Sequence, residues 1–228
     1  MLAGYRAILT QVLLDTGGVA LWQVDDLERY VDRHALLAGD DPAEPPYWAH
    51  LWSGARVLAD AVPPRPGRTI ELGCGLGLPG LAAARRGAAV TFVDRAPAPL
   101  AFVRASAAAN GIHPVDVVAA DFAAGGITGR FDLVLLAEVL YDRAAFPAIA
   151  RVIAARLSSA GLALLADGAR IDTRAFYPEL AALGLRVETT SRRIQADGVT
   201  EMIALSAIRW PRGSIGDAAG PPNGLLER

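Results

Sequence analysis

The most constraining feature of the chain is a glycine turn between two apolar segments. Residues 68–72 predict a short buried strand, and Gly73, Gly75 and Gly77 follow it at alternate positions. Glycines in this pattern allow positive φ angles and a close approach of the backbone, which a Cβ atom would block. The next predicted strand ends at Asp94, where a carboxylate would lie beside the turn and accept both hydroxyls of a ribose. The sequence therefore predicts a site for an adenosine-type cofactor.

The glycine turn is compatible with two classes of cofactor. Residues 75–80 match the dinucleotide fingerprint G-x-G-x-x-G, in which the start of a helix faces the pyrophosphate of NAD. Glu71 precedes the first glycine by two residues and brings a carboxylate to the same crevice. That charge is unfavourable beside a pyrophosphate, and it is favourable beside the sulfonium and α-amino groups of S-adenosylmethionine (SAM). The sequence therefore favours SAM over NAD.

The order of segments predicts an α/β fold with a doubly wound, Rossmann-like sheet. From about residue 48, helical and strand patterns alternate, which implies a mostly parallel sheet with helices on both faces. Two further strand patterns, near 185–193 and 199–209, are joined by a glycine-containing turn. They predict a C-terminal antiparallel hairpin.

Three zones are expected along the chain. A small N-terminal extension at 1–47 precedes the main domain at 48–210, and a tail at 211–228, rich in Gly and Pro, is expected to be disordered. Within the extension, the apolar residues of segment 2–14 lie close to a helical stripe, and residues 19–24 predict a strand. A second helix is expected to follow, with its core face at Leu27, Tyr30, Val31 and Leu37. The extension is too small for an independent core, so we expect it to fold over the cofactor end of the main domain.

Charge and cysteine content argue against several classes of function. The net charge is −2 and no run of basic residues occurs, so no nucleic-acid partner is expected. The single cysteine, Cys74, and the spacing of the three histidines predict neither a disulfide framework nor a metal site. No apolar run approaches the ~20 residues of a membrane helix, and no signal-peptide pattern opens the chain. We expect a cytoplasmic protein without a metal, and its oligomeric state stays open.

Acidic residues end or directly follow most of the predicted strands of the sheet. These residues are Glu71, Asp94, Asp121, Glu138 and Asp167. In an open α/β sheet such positions meet at the edge where ligands bind. Because like charges repel, their convergence favours a cationic group at the centre.

The glycine turn resembles the first motif of the seven-strand SAM-dependent methyltransferases, through the form E-L-G-C-G-x-G. Asp121-Phe122 resembles the motif in which a carboxylate accepts from the adenine amine and an aromatic ring packs on the base; a turn cap is the alternative. Trp52 is expected to pack against the methionine moiety of SAM, with a core tryptophan as the alternative. The cofactor-binding residues implied are Trp52, Glu71, Gly73, Gly75, Gly77, Asp94, Arg95, Asp121, Phe122 and Ala137.

A second set of motifs resembles the protein-lysine methyltransferases within this class. Glu138, two apolar residues and Tyr141 follow the predicted central strand and are similar to a D-x-x-Y motif, with Glu in place of Asp. Residues 45–54 and 166–170 resemble two further segments of that group. The combination is most similar to the electron-transfer-flavoprotein β-subunit lysine methyltransferase and the predicted nicotinamide N-methylases. The resemblance implies methyl transfer to an amine, with Glu138 and Tyr141 as catalytic residues.

Three functions compete at this point. The chain is a protein-lysine N-methyltransferase, a small-molecule N-methyltransferase with a nicotinamide-like acceptor, or a SAM-binding module without catalysis. The Glu138 and Tyr141 pair argues against the third. Residues 45–47 are similar to the N-P-P-Y motif of adenine and glutamine methyltransferases, but that motif must follow the central strand. A base or glutamine acceptor is therefore disfavoured, and the expected partner is a protein lysine or a small-molecule amine.

Overall fold

The chain forms nine strands and five α-helices within residues 1–30, 46–168, 170–196 and 198–211, which a computed structural model describes. The strands are β1 (Ala7–Leu14), β2 (Gly17–Val24), β3 (Thr69–Leu72), β4 (Val90–Asp94), β5 (Asp116–Ala119), β6 (Phe131–Ala137), β7 (Leu157–Asp167), β8 (Arg186–Ala196) and β9 (Val199–Arg209). The helices are α1 (Ser53–Ala61), α2 (Leu78–Arg85), α3 (Pro97–Ala109), α4 (Phe146–Arg156) and α5 (Phe176–Ala182). Short 3-10 turns occupy Leu27–Tyr30, Tyr47–Ala49 and Arg143–Ala145.

Seven strands form one sheet in the order β5-β4-β3-β6-β7-β9-β8. Neighbouring strands from β5 to β7 are parallel, whereas β9 is antiparallel to both β7 and β8. The predicted mostly parallel sheet with a C-terminal antiparallel hairpin is therefore confirmed. The direction of winding reverses between β3 and β6, so their carboxyl ends flank the crevice in which open α/β sheets bind ligands.

The central strand β6 contributes to two separate cores, one on each face of the sheet. Leu133 and Leu135 pack into the core shared with α1, α2 and α3. Val134 and Leu136 pack into the core shared with α4 and α5. A parallel strand that is buried on both faces needs a continuous apolar run. This explains the apolar sequence of β6 and fixes its carboxyl end as a rigid support for the residues that follow.

The helix predicted for residues 2–14 is wrong, because Ala7–Leu14 form β1, which pairs with β2 in an antiparallel hairpin. Val12 and Leu14 are buried while Leu13, between them, is 80% exposed, which is the alternation of a strand. In so short a segment the spacing of apolar residues fits both the 3.6-residue period of a helix and the two-residue period of a strand. Cross-strand pairing with β2, together with burial of one face, decides in favour of the strand.

Of the second helix expected in the extension, only Leu27–Tyr30 are described, and they form a 3-10 turn; Val31 and Leu37 lie outside the described residues. The predicted disordered tail also lies outside them from residue 212 onward. Tyr5, which precedes β1, lines the ligand crevice as expected. The hairpin itself packs beside the domain, since the side chain of Asn110, at the far end of α3, hydrogen-bonds to Ala20.

Candidate active site

A cleft of about 850 Å³ opens at the carboxyl ends of β3, β4 and β6. Every residue that the sequence predicted to be cofactor-binding or catalytic lines this cleft: Trp52, Glu71, Gly73, Gly75, Gly77, Asp94, Arg95, Asp121, Phe122, Ala137, Glu138 and Tyr141. Asp167, expected at the same rim, is buried and does not line the cleft. The tertiary structure therefore brings together residues that are separated by up to 89 positions in the sequence.

The glycine turn forms the floor of the cleft with three left-handed residues. The φ angles of Gly73, Gly75 and Gly77 are +66°, +49° and +75°. A Cβ on Gly75 would lie 3.0 Å from the carbonyl oxygen of Trp48, and one on Gly77 would lie 2.7 Å from Cγ2 of Val103. Both the backbone conformation and the space require glycine here. The bare backbone leaves room for a ligand to approach the turn closely.

Glu71 borders the cleft from beneath the turn and is 1% exposed. Its Oε2 accepts the backbone N–H of Gly80 in the first turn of α2, at 2.8 Å. A Cβ on Gly80 would lie 2.5 Å from this oxygen and 2.3 Å from the ring of Phe92, so only glycine fits. Burial raises the pKa of Glu71 to about 8, against the lowering effect of the Gly80 hydrogen bond. At neutral pH the side chain is therefore mostly the neutral acid, so the expectation that Glu71 brings a negative charge to the crevice is wrong.

Asp94 is held beside the glycine turn by two backbone hydrogen bonds. Oδ2 accepts the N–H of Gly75 at 2.9 Å, and Oδ1 accepts the N–H of Ala96 at 3.0 Å. Burial raises the pKa of Asp94, and the two hydrogen bonds act in the opposite direction. Each carboxylate oxygen can accept more than one hydrogen bond, so this fixed orientation leaves capacity for two ribose hydroxyls.

Asp121 and Phe122 form the next wall of the cleft. Oδ1 of Asp121 accepts the N–H of Ala123 at 2.9 Å, which is the turn cap that the sequence left as an alternative. The ring of Phe122 lies over the glycine turn, since its Cε1 is 3.3 Å from the position of a Cβ on Gly73. An aromatic face beside this turn suits the packing of a purine.

Glu138 follows β6 with a φ of +56°, a region that non-glycine residues rarely adopt. Its Oε1 accepts the N–H of Gly54 at 3.1 Å, and its Oε2 accepts the N–H of Gly168 at 3.2 Å. Nη2 of Arg170 forms an ion pair with the same Oε2 at 3.1 Å. Burial raises the pKa of Glu138, while the Gly168 hydrogen bond and the Arg170 charge lower it. The carboxylate is thus bound on two sides by backbone and on a third by a guanidinium.

Arg170 joins Glu138 to Trp52. Its Nη2 also donates to the backbone carbonyl of Glu138 at 3.0 Å, and its guanidinium carbon lies 4.1 Å from the centre of the Trp52 ring. The Trp52 indole donates from Nε1 to the carbonyl of Tyr47 at 3.1 Å. One face of the tryptophan that was predicted to pack against methionine is therefore covered by an arginine.

The family model described as the methyltransferase small domain matches residues 47–145, a range that contains the glycine turn, Asp94 and Glu138. The chain is also 32% identical over 107 residues to the electron transfer flavoprotein beta subunit lysine methyltransferase of Xenopus laevis. That match covers 44% of this chain and 43% of the relative, so the chain matches less than half the length of this curated relative.

Solved methyltransferases share the fold. The 16S rRNA N2 G1207 methyltransferase of T. thermophilus, in complex with AdoMet and guanosine, matches with a TM-score of 0.62 and 18% identity, covering 90% of this chain and 51% of that one. A TehB-like SAM-dependent methyltransferase of Corynebacterium glutamicum matches with a TM-score of 0.56 and 20% identity, over 81% and 98% of the chains. The precorrin-6y C5,15-methyltransferase of Geobacter metallireducens matches with a TM-score of 0.57 and 17% identity, covering 69% of this chain and 87% of that one.

The chain thus matches the methyltransferase small domain over residues 47–145 and shares the fold of solved SAM-dependent methyltransferases. The lining of the cleft fits SAM, because the glycine turn leaves the space that Cβ atoms would fill and Asp94 is oriented by two backbone N–H groups. Among the described residues, no group of three or more His, Cys, Asp or Glu side chains could hold a metal ion. None of the helices in the described ranges is long and apolar enough to cross a membrane.

Sequence reasoning missed three features of this site. Arg170 was noted only as part of a loop resemblance, although it forms the ion pair with Glu138. Gly54 was part of a motif, but its role is spatial, since a Cβ there would lie 2.4 Å from Oε1 of Glu138. Gly80 is needed to admit the carboxyl of Glu71. In the sequence, the only indication of these features is the presence of glycine or arginine at these positions. Their contacts become visible only in the three-dimensional structure.

Proposed function

We propose that this chain is a SAM-dependent methyltransferase that transfers a methyl group from SAM to the ε-amino group of a lysine in a protein. The observation that carries the proposal is the pair of Glu138 and Tyr141, which line the cleft directly after the central strand. The relative in Xenopus laevis is by name a lysine methyltransferase, which supports the same class of acceptor. Tyr141 is 57% exposed, so its ring is accessible to an incoming side chain.

SAM supplies a methyl group on a sulfonium, and the transfer is an in-line displacement, so the protein acts mainly by positioning the reactants. We assign the hydroxyls of the ribose to Asp94, the adenine to Asp121 and Phe122, and the remaining lining of the cofactor to Trp52, Arg95 and Ala137. Glu71 and the three glycines complete this part of the site. The domain that performs this function is proposed to span residues 48–210, with 1–47 as an accessory extension and 211–228 as a dispensable tail.

The acceptor must reach the methyl group as a neutral amine, although lysine in water has a pKa near ~10.4. We assign to Glu138 the binding of the incoming ammonium, and to Tyr141 the wall and orientation of the channel. Aromatic side chains near an alkylammonium also contribute cation–π attraction, on the order of 0.5–2 kcal/mol. Glu138 suits this role because its orientation is fixed by the N–H groups of Gly54 and Gly168.

A nicotinamide-like small molecule is the second candidate acceptor. One observation favours it: Arg170 already balances the charge of Glu138, and a pyridine nitrogen arrives neutral and needs no carboxylate partner. The protein substrate is preferred because the Glu138 and Tyr141 spacing follows the lysine-methylating group. We propose no nucleic-acid partner, in view of a net charge of −2 without basic runs, and a cytoplasmic location.

The experiment that tests the proposal is labelling with methyl-tritiated SAM. The purified chain is incubated with lysate of its host and, separately, with the isolated β subunit of electron-transfer flavoprotein. Label in a protein band that is lost when lysines are chemically blocked supports the proposal. Label confined to the small-molecule fraction contradicts it and favours the second candidate.

A further inference from the structure

Arg170 makes the two contacts that a cationic acceptor would use at this site. Its Nη2 lies 3.1 Å from Oε2 of Glu138, and its guanidinium lies 4.1 Å from the centre of the Trp52 ring. A carboxylate and an aromatic face are the two groups that bind alkylammonium ions in proteins. The side chain of Arg170 therefore occupies the position that the proposed mechanism requires for the substrate.

Access to the Glu138 carboxylate depends on Arg170. The side chain of Glu138 is 4% exposed, and Gly54 and Gly168 hold its two oxygens from the protein side. The side chain of Arg170 is 37% exposed and borders the cleft. On its cleft side the carboxylate is paired with this guanidinium, so an ammonium that binds Oε2 in its place must displace Arg170, whose partly exposed side chain can move into solvent.

We propose that Arg170 is an internal cation that holds the acceptor position and is displaced by the ammonium group of the substrate. This inference rests on the proposed function, because it requires a cationic acceptor. The exchange conserves charge: one ion pair with Glu138 breaks as another forms, so no unpaired carboxylate is left in the buried site. A neutral molecule cannot replace the guanidinium on equal terms, so the exchange occurs only with a cationic acceptor.

Competition of this kind has a measurable consequence. When a binding site is open for only a fraction of the time, the apparent dissociation constant of its ligand equals the intrinsic constant divided by that fraction. Removing the guanidinium should therefore increase the affinity for an alkylammonium by roughly tenfold, the factor expected when an internal contact of ~1.4 kcal/mol no longer competes. A residue that merely supports Glu138 would have the opposite effect.

The test is calorimetric titration of n-butylammonium into the chain loaded with S-adenosylhomocysteine. We expect Arg170→Gln to bind the probe roughly tenfold more tightly than the unmodified chain. Arg174→Gln is the matched control, because Arg174 lies four positions further along the chain, does not line the cleft, and has a side chain that is 90% exposed and paired with Asp172. Its affinity for the probe should be unchanged, whereas Glu138→Gln should abolish the gain when combined with Arg170→Gln.

Equal or weaker binding by Arg170→Gln, including no binding at all, would overturn the inference. If that variant does not fold, Arg170→Lys serves in its place, because lysine keeps the charge but lacks the planar fork, and it should give a smaller gain. The binding assay requires no turnover. A chain that fails to label any protein lysine, yet binds butylammonium more tightly without Arg170, would reject the proposed function while supporting this inference.

Discussion

Replacing Glu71 with glutamine should remove a pH dependence of stability. The side chain is 1% exposed, and burial raises its pKa from 4.5 to about 8. In the unfolded chain the carboxyl has its ordinary pKa, so between these two values the folded protein retains a proton that the unfolded chain has released. The stability associated with the neutral acid is fully present below pH 4.5, and it is lost as the pH rises towards 8.

The magnitude follows from the same two values. Each pH unit within this interval lowers the free energy of unfolding by about 1.4 kcal/mol, so the total loss approaches ~5 kcal/mol. The glutamine variant carries no charge at any of these pH values, and its carbonyl oxygen can accept the N–H of Gly80 as Oε2 of Glu71 does. The unfolding free energy of the variant should therefore lack the pH-dependent loss that ionisation of Glu71 causes.

The assay is urea unfolding of both proteins without SAM, at intervals from about pH 5 to about pH 8. The difference in unfolding free energy between them should change by about 1.4 kcal/mol per pH unit in favour of the variant. Asp94 and Glu138 also have raised pKa values, but both residues are present in both proteins. Their contributions therefore cancel in the difference in unfolding free energy. Glu201→Gln, at an exposed position, is the control. Parallel pH profiles for the Glu71 variant and the unmodified chain would refute the reasoning.

Three further predictions concern the cofactor and acceptor sites. Asp94→Ala should weaken SAM binding by roughly 1.5–3 kcal/mol in calorimetry, and an unchanged dissociation constant would show that Asp94 does not reach the ribose. Gly77→Ala should lower stability in urea by about 1–3 kcal/mol more than Gly111→Ala, because both have positive φ but only Gly77 has a core side chain within reach of the new Cβ; equal losses would contradict this. Glu138→Gln and Tyr141→Phe should lower turnover while SAM affinity stays nearly intact, and full activity of Glu138→Gln would exclude the lysine-type mechanism.

The sequence alone predicted the features that depend on local spacing. The strand, glycine turn and helix around Gly73, Gly75 and Gly77 follow from backbone requirements that neighbouring residues already impose. Alternating segments predicted the parallel sheet, and the carboxyl ends of parallel strands meet at one edge whatever else packs around them. This is why the predicted site residues line a single cleft.

The tertiary structure decided which charged and polar side chains pair with each other. It also decided whether a short apolar segment forms a helix or a strand. Arg170 pairs with Glu138 across 32 positions, and Glu71 bonds to the first turn of α2, and neither contact has a local signature. In segment 2–14 the apolar spacing fits a helix and a strand, and only pairing with β2 selects the strand. Local periodicity constrains the backbone of one element, whereas charge balance and the burial of one face depend on the partner that folding brings to it.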